Sequence, residues 1–340
     1  MKKESIYILG IESSCDDTAA AVIHNGKILS NVVATQRIHE EYGGVVPELA
    51  SRAHQQNIVP VVHQALRIAN IDKKDLNAIA FTLGPGLMGS LLVGASFSKS
   101  LALGLGIPLI EVNHMQAHIL AHFIEAEGQN KPNFPFLAMT ISGGHTQIVQ
   151  VNDYFDMKVI GQTIDDAAGE AFDKSAKILG LPYPGGPLID KYAQLGNPKA
   201  FPFTKPKVGP LDFSFSGLKT AILYFVQNRQ KEDPHFIKEN INDICASIQY
   251  TIVSYLMDKL KNAVKQTGIK EIAIGGGVSA NSGIRKALKE AEEKYGWVTH
   301  IPRFEFCTDN AAMIAMVGEL KYKNEDFSAL DVSSRARMEY

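Results

Sequence analysis

The stretch IYILGIESSCDDTAAAVI, residues 6–23, decides the fold. Two apolar runs, IYILGI (6–11) and AAAVI (19–23), flank the polar turn ESSCDDT (12–18), a pattern that predicts a β-hairpin. The HNGK turn (24–27) then leads into a third apolar run, ILSNVVA. The same grammar returns in the second half of the chain, where FLAMTI (136–141) and QIVQV (147–151) flank SGGHT. Both turns set small or hydroxylated residues and a threonine between apolar strands, so we expect duplicated lobes that face each other.

Outward from these hairpins, Leu49, Ala53, Ile58, Val62 and Leu66 recur at helical spacing and predict one or two helices. LNAIAFTLG (76–84) reads as a strand, 87–106 as a buried helix and IPLIEV (107–112) as a strand at a lobe boundary. Pro and Gly crowd residues 181–210, an ordered loop around a site. Helices are expected over 216–228 and 241–266, with a last strand in EIAIGGG (271–277). Alternating strands and helices behind two hairpins give an α/β architecture. We place a first lobe at residues 1–112 plus about 320–340, and a second, carrying the metal and nucleotide motifs, at 113–319.

The composition sets outer limits. The chain has 340 residues, 45% hydrophobic and 21% charged, with a formal net charge of −2. That is ordinary globular usage, and chains beyond roughly 250–300 residues tend to split into domains. The near-neutral balance argues against non-specific coating of nucleic acid, which needs a summed positive field. Cys15, Cys245 and Cys307, an odd number without C-x-x-C spacing, do not form a disulfide framework. The opening MKKESIYILG lacks an apolar core of signal-peptide length. Residues 76–98 carry no formal charge, but Gly84, Pro85, Gly86 and Gly89 would break a spanning helix. We therefore expect a cytoplasmic protein with no membrane contact.

Three turns carry chemistry: 12–18, 142–146 and 275–281. Turns of this type aim backbone N–H groups and hydroxyls at one point, as phosphate-binding loops do. A single one is ordinarily a tight connection; three after apolar strands, in two lobes, favour a nucleotide in the cleft. No G-x-x-x-x-G-K-[ST] occurs, which excludes a P-loop. Asp16, Asp17 and Asp173, near the turns, would hold a metal, a ribose or the reacting groups.

In NHMQAH, His114 and His118 are four apart, so on a helix both imidazoles share a face and can share a metal. Such pairs are often coincidental, and Met115 stands where H-E-x-x-H has the glutamate of a zinc protease. Asp309, opening an apolar helix in CTDNAAMIA, is a candidate third ligand. Two imidazoles and one carboxylate suit Fe(II) or Zn(II). DDAAGEAFDK (165–174) reads either as a capped helix start or as part of a site. Lys199, Lys205, Lys207 and Lys219 interleave with Phe201, Phe203, Phe213 and Phe215, a pattern that suits single-stranded nucleic acid or, more plainly, buried rings under a solvated loop.

Taken in order, GIESSCDDTAAAV, YGGVVPELASRAH, GPGLMGSLLVG, NHMQAH, SGGHTQ, DDAAGEAFDK, YPGGP, DFSFSGLKTA, GGVSAN and CTDNAAMIA resemble the bacterial tRNA N6-adenosine threonylcarbamoyltransferase family (TsaD), once known as O-sialoglycoprotein endopeptidases. The resemblance spans nearly the whole chain. It departs at Gln116 and Ala117, where Glu and Gly are usual, and in a tail without the usual Pro and Trp around Arg335 and Arg337.

The resemblance implies the two-lobed actin, Hsp70 and sugar-kinase fold around a nucleotide cleft. It implies an acyltransferase that moves the threonylcarbamoyl group from threonylcarbamoyl-AMP to N6 of adenosine 37 in tRNAs reading ANN codons. His114, His118 and Asp309 would bind one divalent metal, Fe(II) or else Zn(II). Thr140, Ile141, Ser142, Gly143, Gly144, Asp173, Gly186, Asp190 and Asn281 would bind the adenylate. Asp16 or Glu12 would orient N6 or accept its proton. The inactive paralogue TsaB and the P-loop ATPase TsaE would be partners. An ATP-dependent small-molecule kinase of the same fold, or a metallopeptidase, are the competing readings.

Overall fold

The structure is a computed structural model and describes residues 5–340; the Lys2–Lys3 pair of the opening segment lies outside them. The chain divides into two compact units. Unit 1 runs up to Lys131 and resumes over Pro302–Tyr340, and unit 2 is Pro132–Ile301.

Unit 1 is built on β1 (Tyr7–Glu12), β2 (Asp17–His24), β3 (Lys27–Thr35), β4 (Ala78–Gly84) and β5 (Leu109–Asn113). Their order in the sheet is β3-β2-β1-β4-β5. The hairpin expected from residues 6–23 forms, with Tyr7 opposite His24 and Glu12 opposite Ala19. β4 joins β1 in parallel, and β5 joins β4 likewise. A short α1 (His39–Tyr42) precedes α2 (Pro47–Ala69), and α3 (Met88–Leu105) follows β4. The helix predicted from Leu49 to Leu66 is single, and its buried stripe is Ala50, His54, Ile58, Val61, Val62 and Ala65. Alternate strand residues, among them Leu9, Ile11, Ala20, Val22, Ile79 and Phe81, pack with α2 and α3 in one apolar cluster.

The opposite face of this sheet takes α10 (Ala311–Lys323). Small residues allow the approach: a Cβ on Gly10 would lie 2.5 Å from the Ala311 carbonyl oxygen, so no larger residue fits there. By strand alternation Glu12 and Thr82 project to the same face as Gly10 and Ala80. α4 (His114–Leu120) follows β5 and packs on α10.

Residues 113–131 and 302–319, assigned from the sequence to the second lobe, therefore pack with the first. The contact that holds them, α4 on α10, joins segments far apart in the chain, and local patterning carries no trace of it. The uncharged stretch 76–98 is β4, a turn and the first half of α3. By length and composition α3 could cross a membrane. In unit 1 it lies against β4 and α2. The helix expected over 87–106 is buried on one face only, since Leu92 and Leu103 are exposed.

Unit 2 repeats the plan with β6 (Phe136–Ile141), β7 (Thr146–Asp153), β8 (Asp156–Gln162), β9 (Glu271–Gly275) and β10 (Val298–His300). The order is β10-β9-β6-β7-β8. β6, β7 and β8 are antiparallel neighbours, while β9 and β10 run parallel. Counted from the first strand of each unit, both sheets read 3-2-1-4-5, which is the duplication the two hairpins announce. Five helices complete unit 2: α5 (Ala168–Ile178), α6 (Gly186–Ala193), α7 (Ser216–Glu232), α8 (Phe236–Thr267) and α9 (Ser282–Tyr295). Met139, Ile141, Phe172, Phe213, Phe215, Ile222 and Ile248 belong to its core.

Candidate metal centre and substrate site

In unit 1, α4 begins directly at the end of β5. Asn113 caps it, its Oδ1 accepting from the N–H groups of Met115 (2.9 Å) and Gln116 (3.2 Å). The cap fixes the first turn, so His114 and His118, one turn apart, point the same way, with ring centroids 4.8 Å apart. Asp309 sits just before α10, whose cap is Asn310 accepting from the Met313 N–H. Its Oδ1 lies 3.4 Å from His114 Nε2 and 3.2 Å from His118 Nε2.

These donors fit a divalent metal. Ligands about 2.0–2.1 Å from a tetrahedral ion are about 3.3 Å apart, close to the observed separations. Two neutral nitrogens and one carboxylate oxygen suit a borderline ion such as Zn(II) or Fe(II). His118 is fully buried, and among the described residues neither ring nitrogen has a hydrogen-bond partner of good geometry. A bound ion would satisfy one of them.

Glu12, from the first turn, stands behind His114: its Oε2 is 3.0 Å from His114 Nδ1 and accepts from Thr82 Oγ1 at 2.7 Å. The Ser14 N–H donates to the other oxygen. Burial works to raise the Glu12 pKa, but the imidazole beside it wins and holds it below the ordinary range. Burial likewise disfavours the charged form of His114, and the Glu12 and Asp309 carboxylates overcome it, raising His114 well above its usual value. For Asp309 burial is again outweighed by the two histidines, and its pKa falls. Both Glu12 oxygens are engaged and the side chain has no exposed surface, so it faces His114, Thr82 and Ser14. Asp16 is half-buried on the same turn. Asp17 is pushed up to about 7, chiefly by burial and then by the charges of Asp309, Asp16 and Glu12.

Unit 2 gathers the predicted adenylate residues. Thr140 and Ile141 end β6, buried. Thr140 Oγ1 is buried without a hydrogen-bond partner among the described residues. The Ser142 N–H donates to the His145 carbonyl at 2.8 Å, closing the turn, and Gly143 and Gly144 at its tip are exposed. Asp173, Asp190 and Asn281, three of the five polar side chains predicted as adenylate ligands, tie loops together instead of standing free. Asp173 Oδ1 accepts from the N–H groups of Gly185 (2.8 Å) and Gly186 (2.9 Å), and burial raises its pKa. Asp190 accepts from the Ser282 N–H (3.0 Å) and hydroxyl (2.6 Å). Asn281 caps α9 through the Ile284 N–H and donates to Gln249 Oε1 at 2.7 Å.

Sequence reading missed Thr82, Ser282 and Gln249. A threonine inside the apolar strand AIAFTLG is the signal that would have flagged Thr82. Of the interleaved lysines and phenylalanines, Phe213 and Phe215 are core residues, Phe201 and Phe203 pack partly buried against that core, and Lys205 pairs with Asp258 at 2.5 Å. Arg335 is exposed, while its N–H donates to the Leu83 carbonyl, docking the tail on unit 1.

The model of the TsaD family, tRNA N6-adenosine threonylcarbamoyltransferase, matches residues 27–316. The chain belongs to this family. A protein of that name from Christiangramia forsetii is 72% identical over 340 residues, covering all of both chains. Another, from Cytophaga hutchinsonii, is 61% identical over 98% of this chain and 96% of its own. The fold also recurs among distant solved structures. Full-length HypF matches with a TM-score of 0.61 at 14% identity, covering 96% of this chain and 47% of HypF. An activator of 2-hydroxyisocaproyl-CoA dehydratase from Clostridium difficile matches with a TM-score of 0.53 at 15% identity, over 95% of this chain and 99% of its own. The chain thus has the fold of the actin, Hsp70 and sugar-kinase class.

Proposed function

We propose that the chain transfers the threonylcarbamoyl group from threonylcarbamoyl-AMP to N6 of adenosine 37 in tRNAs that read ANN codons. The observation that carries this reading is the family match over nearly the whole chain, joined to the convergence of His114, His118 and Asp309. N6 of adenine is a weak nucleophile because its lone pair is delocalised into the ring. AMP as leaving group activates the acyl carbon: a C–N bond forms to N6, the bond from that carbon to the phosphate oxygen breaks, AMP departs and N6 loses a proton. A divalent ion held by His114, His118 and Asp309, Fe(II) or else Zn(II), would supply Lewis acidity for the carbonyl oxygen.

Gly143 and Gly144 bind the adenylate through backbone N–H groups and Thr140 through its unpaired hydroxyl, while Ser142 holds the turn closed. Asp173, Gly186, Asp190 and Asn281 shape that pocket by bracing the loops around it. Asp16 orients N6 or takes its proton. The protein works in the cytoplasm, with TsaB and TsaE as partners that contribute to the grip on tRNA, since a net charge of −2 leaves little summed positive field. Incubating the purified chain, with and without those partners, with unmodified tRNA and threonylcarbamoyl-AMP tests the proposal. The modified nucleoside is expected in the digest by mass; no product in any combination overturns the reading.

A further inference from the structure

The carboxylate behind His114 is more constrained than its ligand neighbours. Glu12 ends β1 on the face covered by α10 and has no exposed surface. One oxygen takes His114 Nδ1 (3.0 Å) and the Thr82 hydroxyl (2.7 Å), and the other takes the Ser14 N–H. On the far side of the same ring, His114 Nε2 faces Asp309 Oδ1. The imidazole is therefore held at both nitrogens, so that a metal displacing the proton at Nε2 would leave the Nδ1 hydrogen directed at Glu12. His118 has no comparable support, since its Nδ1 is buried with no hydrogen-bond partner among the described residues.

We infer that Glu12 is a positioning residue that fixes His114 as an Nε2 metal donor, with Thr82 and the Ser14 N–H in turn fixing Glu12. The inference rests on the metal reading above. A carboxylate on the remote nitrogen of a ligating histidine sets the tautomer and ring orientation and raises ligand basicity. Thr82 donates to the very oxygen that His114 uses, so the carboxylate cannot rotate away without losing both bonds. This gives the first turn a task apart from the acyl transfer itself: it shapes the metal centre.

The test is the affinity of the purified full chain for Zn(II) alone, measured by competition with a chromophoric chelator, alongside the visible spectrum of the Co(II)-loaded protein. Glu12→Ala is expected to weaken Zn(II) binding roughly 10–100-fold and to alter the Co(II) spectrum. Glu12→Gln, which keeps an acceptor for the Nδ1 hydrogen, should recover part of the loss. Thr82→Val, which leaves Glu12 in place but unanchored, should weaken binding by about threefold to tenfold, and it carries the test if Glu12→Ala fails to fold. His118→Ala separates the two ideas. If it abolishes binding while Glu12→Ala, Glu12→Gln and Thr82→Val bind as wild type does, the inference is overturned and the metal reading stands. If His118→Ala also binds as tightly as wild type, the metal reading fails and the inference falls with it.

Discussion

The two units share one strand order and differ in how their first polar turn is used. In unit 1 the turn after β1 is closed in: Glu12, Ser13, Ser14 and Thr18 are buried, and Glu12 is bonded on both oxygens. In unit 2 the turn after β6 is open: Gly143 and Gly144 are exposed, and a Cβ on either would meet nothing within 4 Å. On the function proposed above, turns at the same place in the two units serve two chemistries. A metal centre needs side-chain donors whose orientation is fixed, and a buried network supplies that. An anionic nucleotide can be held by backbone N–H groups, and these must stay uncovered.

That contrast can be broken in several ways. The largest effect is expected from His118→Ala, which removes a proposed ligand: metal affinity should fall by more than the ~100-fold upper figure for an outer-shell change, read by metal content after dialysis. Next, Gly144→Val should raise the KM for threonylcarbamoyl-AMP about tenfold, equivalent to about 1.4 kcal/mol, while urea denaturation shows stability within about 0.5 kcal/mol of wild type. A large loss of stability instead would mean that this turn, like its counterpart in unit 1, is structurally committed.

Thr140→Val sharpens the same point. It removes a buried hydroxyl without a partner, so stability should hold or rise by up to ~1 kcal/mol while the KM rises a few-fold. The smallest effect concerns Asp17. Its folded pKa, about 7, lies above the ordinary carboxylate value, so the folded state binds the extra proton and stability falls as pH rises from about 4 through 7. Asp17→Asn should flatten that fall and leave the variant ~1 kcal/mol more stable than wild type at pH 8, checked by thermal unfolding at pH 5 and pH 8.

Much of this was legible in residue order. The repeated hairpins gave away the duplication, and the i, i+4 histidines together with Asp309 pointed to the three side chains that the fold brings together. The remainder lies in contacts without a local pattern. β8 is a half-exposed edge strand, and β10 has only 3 residues, too few for a period to register. The unit boundary depends on α10 folding back onto β1 and α4, which no neighbouring residues report. Glu12 read as a group that orients N6 or accepts its proton because it sits in a polar turn; only the fold reveals that His114, Thr82 and Ser14 engage its oxygens. Asp173, Asp190 and Asn281 were found by family likeness, yet their hydrogen bonds to Gly185, Gly186, Ser282 and Gln249 were not visible in it.

The central claim is acyl transfer with AMP as the leaving group, and single-turnover stoichiometry tests it most directly. With metal-loaded protein, its partners, unmodified tRNA and a limiting amount of threonylcarbamoyl-AMP, we expect one AMP released for each modified adenosine formed. AMP released with no modified nucleoside, or ADP formed from ATP in place of transfer, would contradict the account.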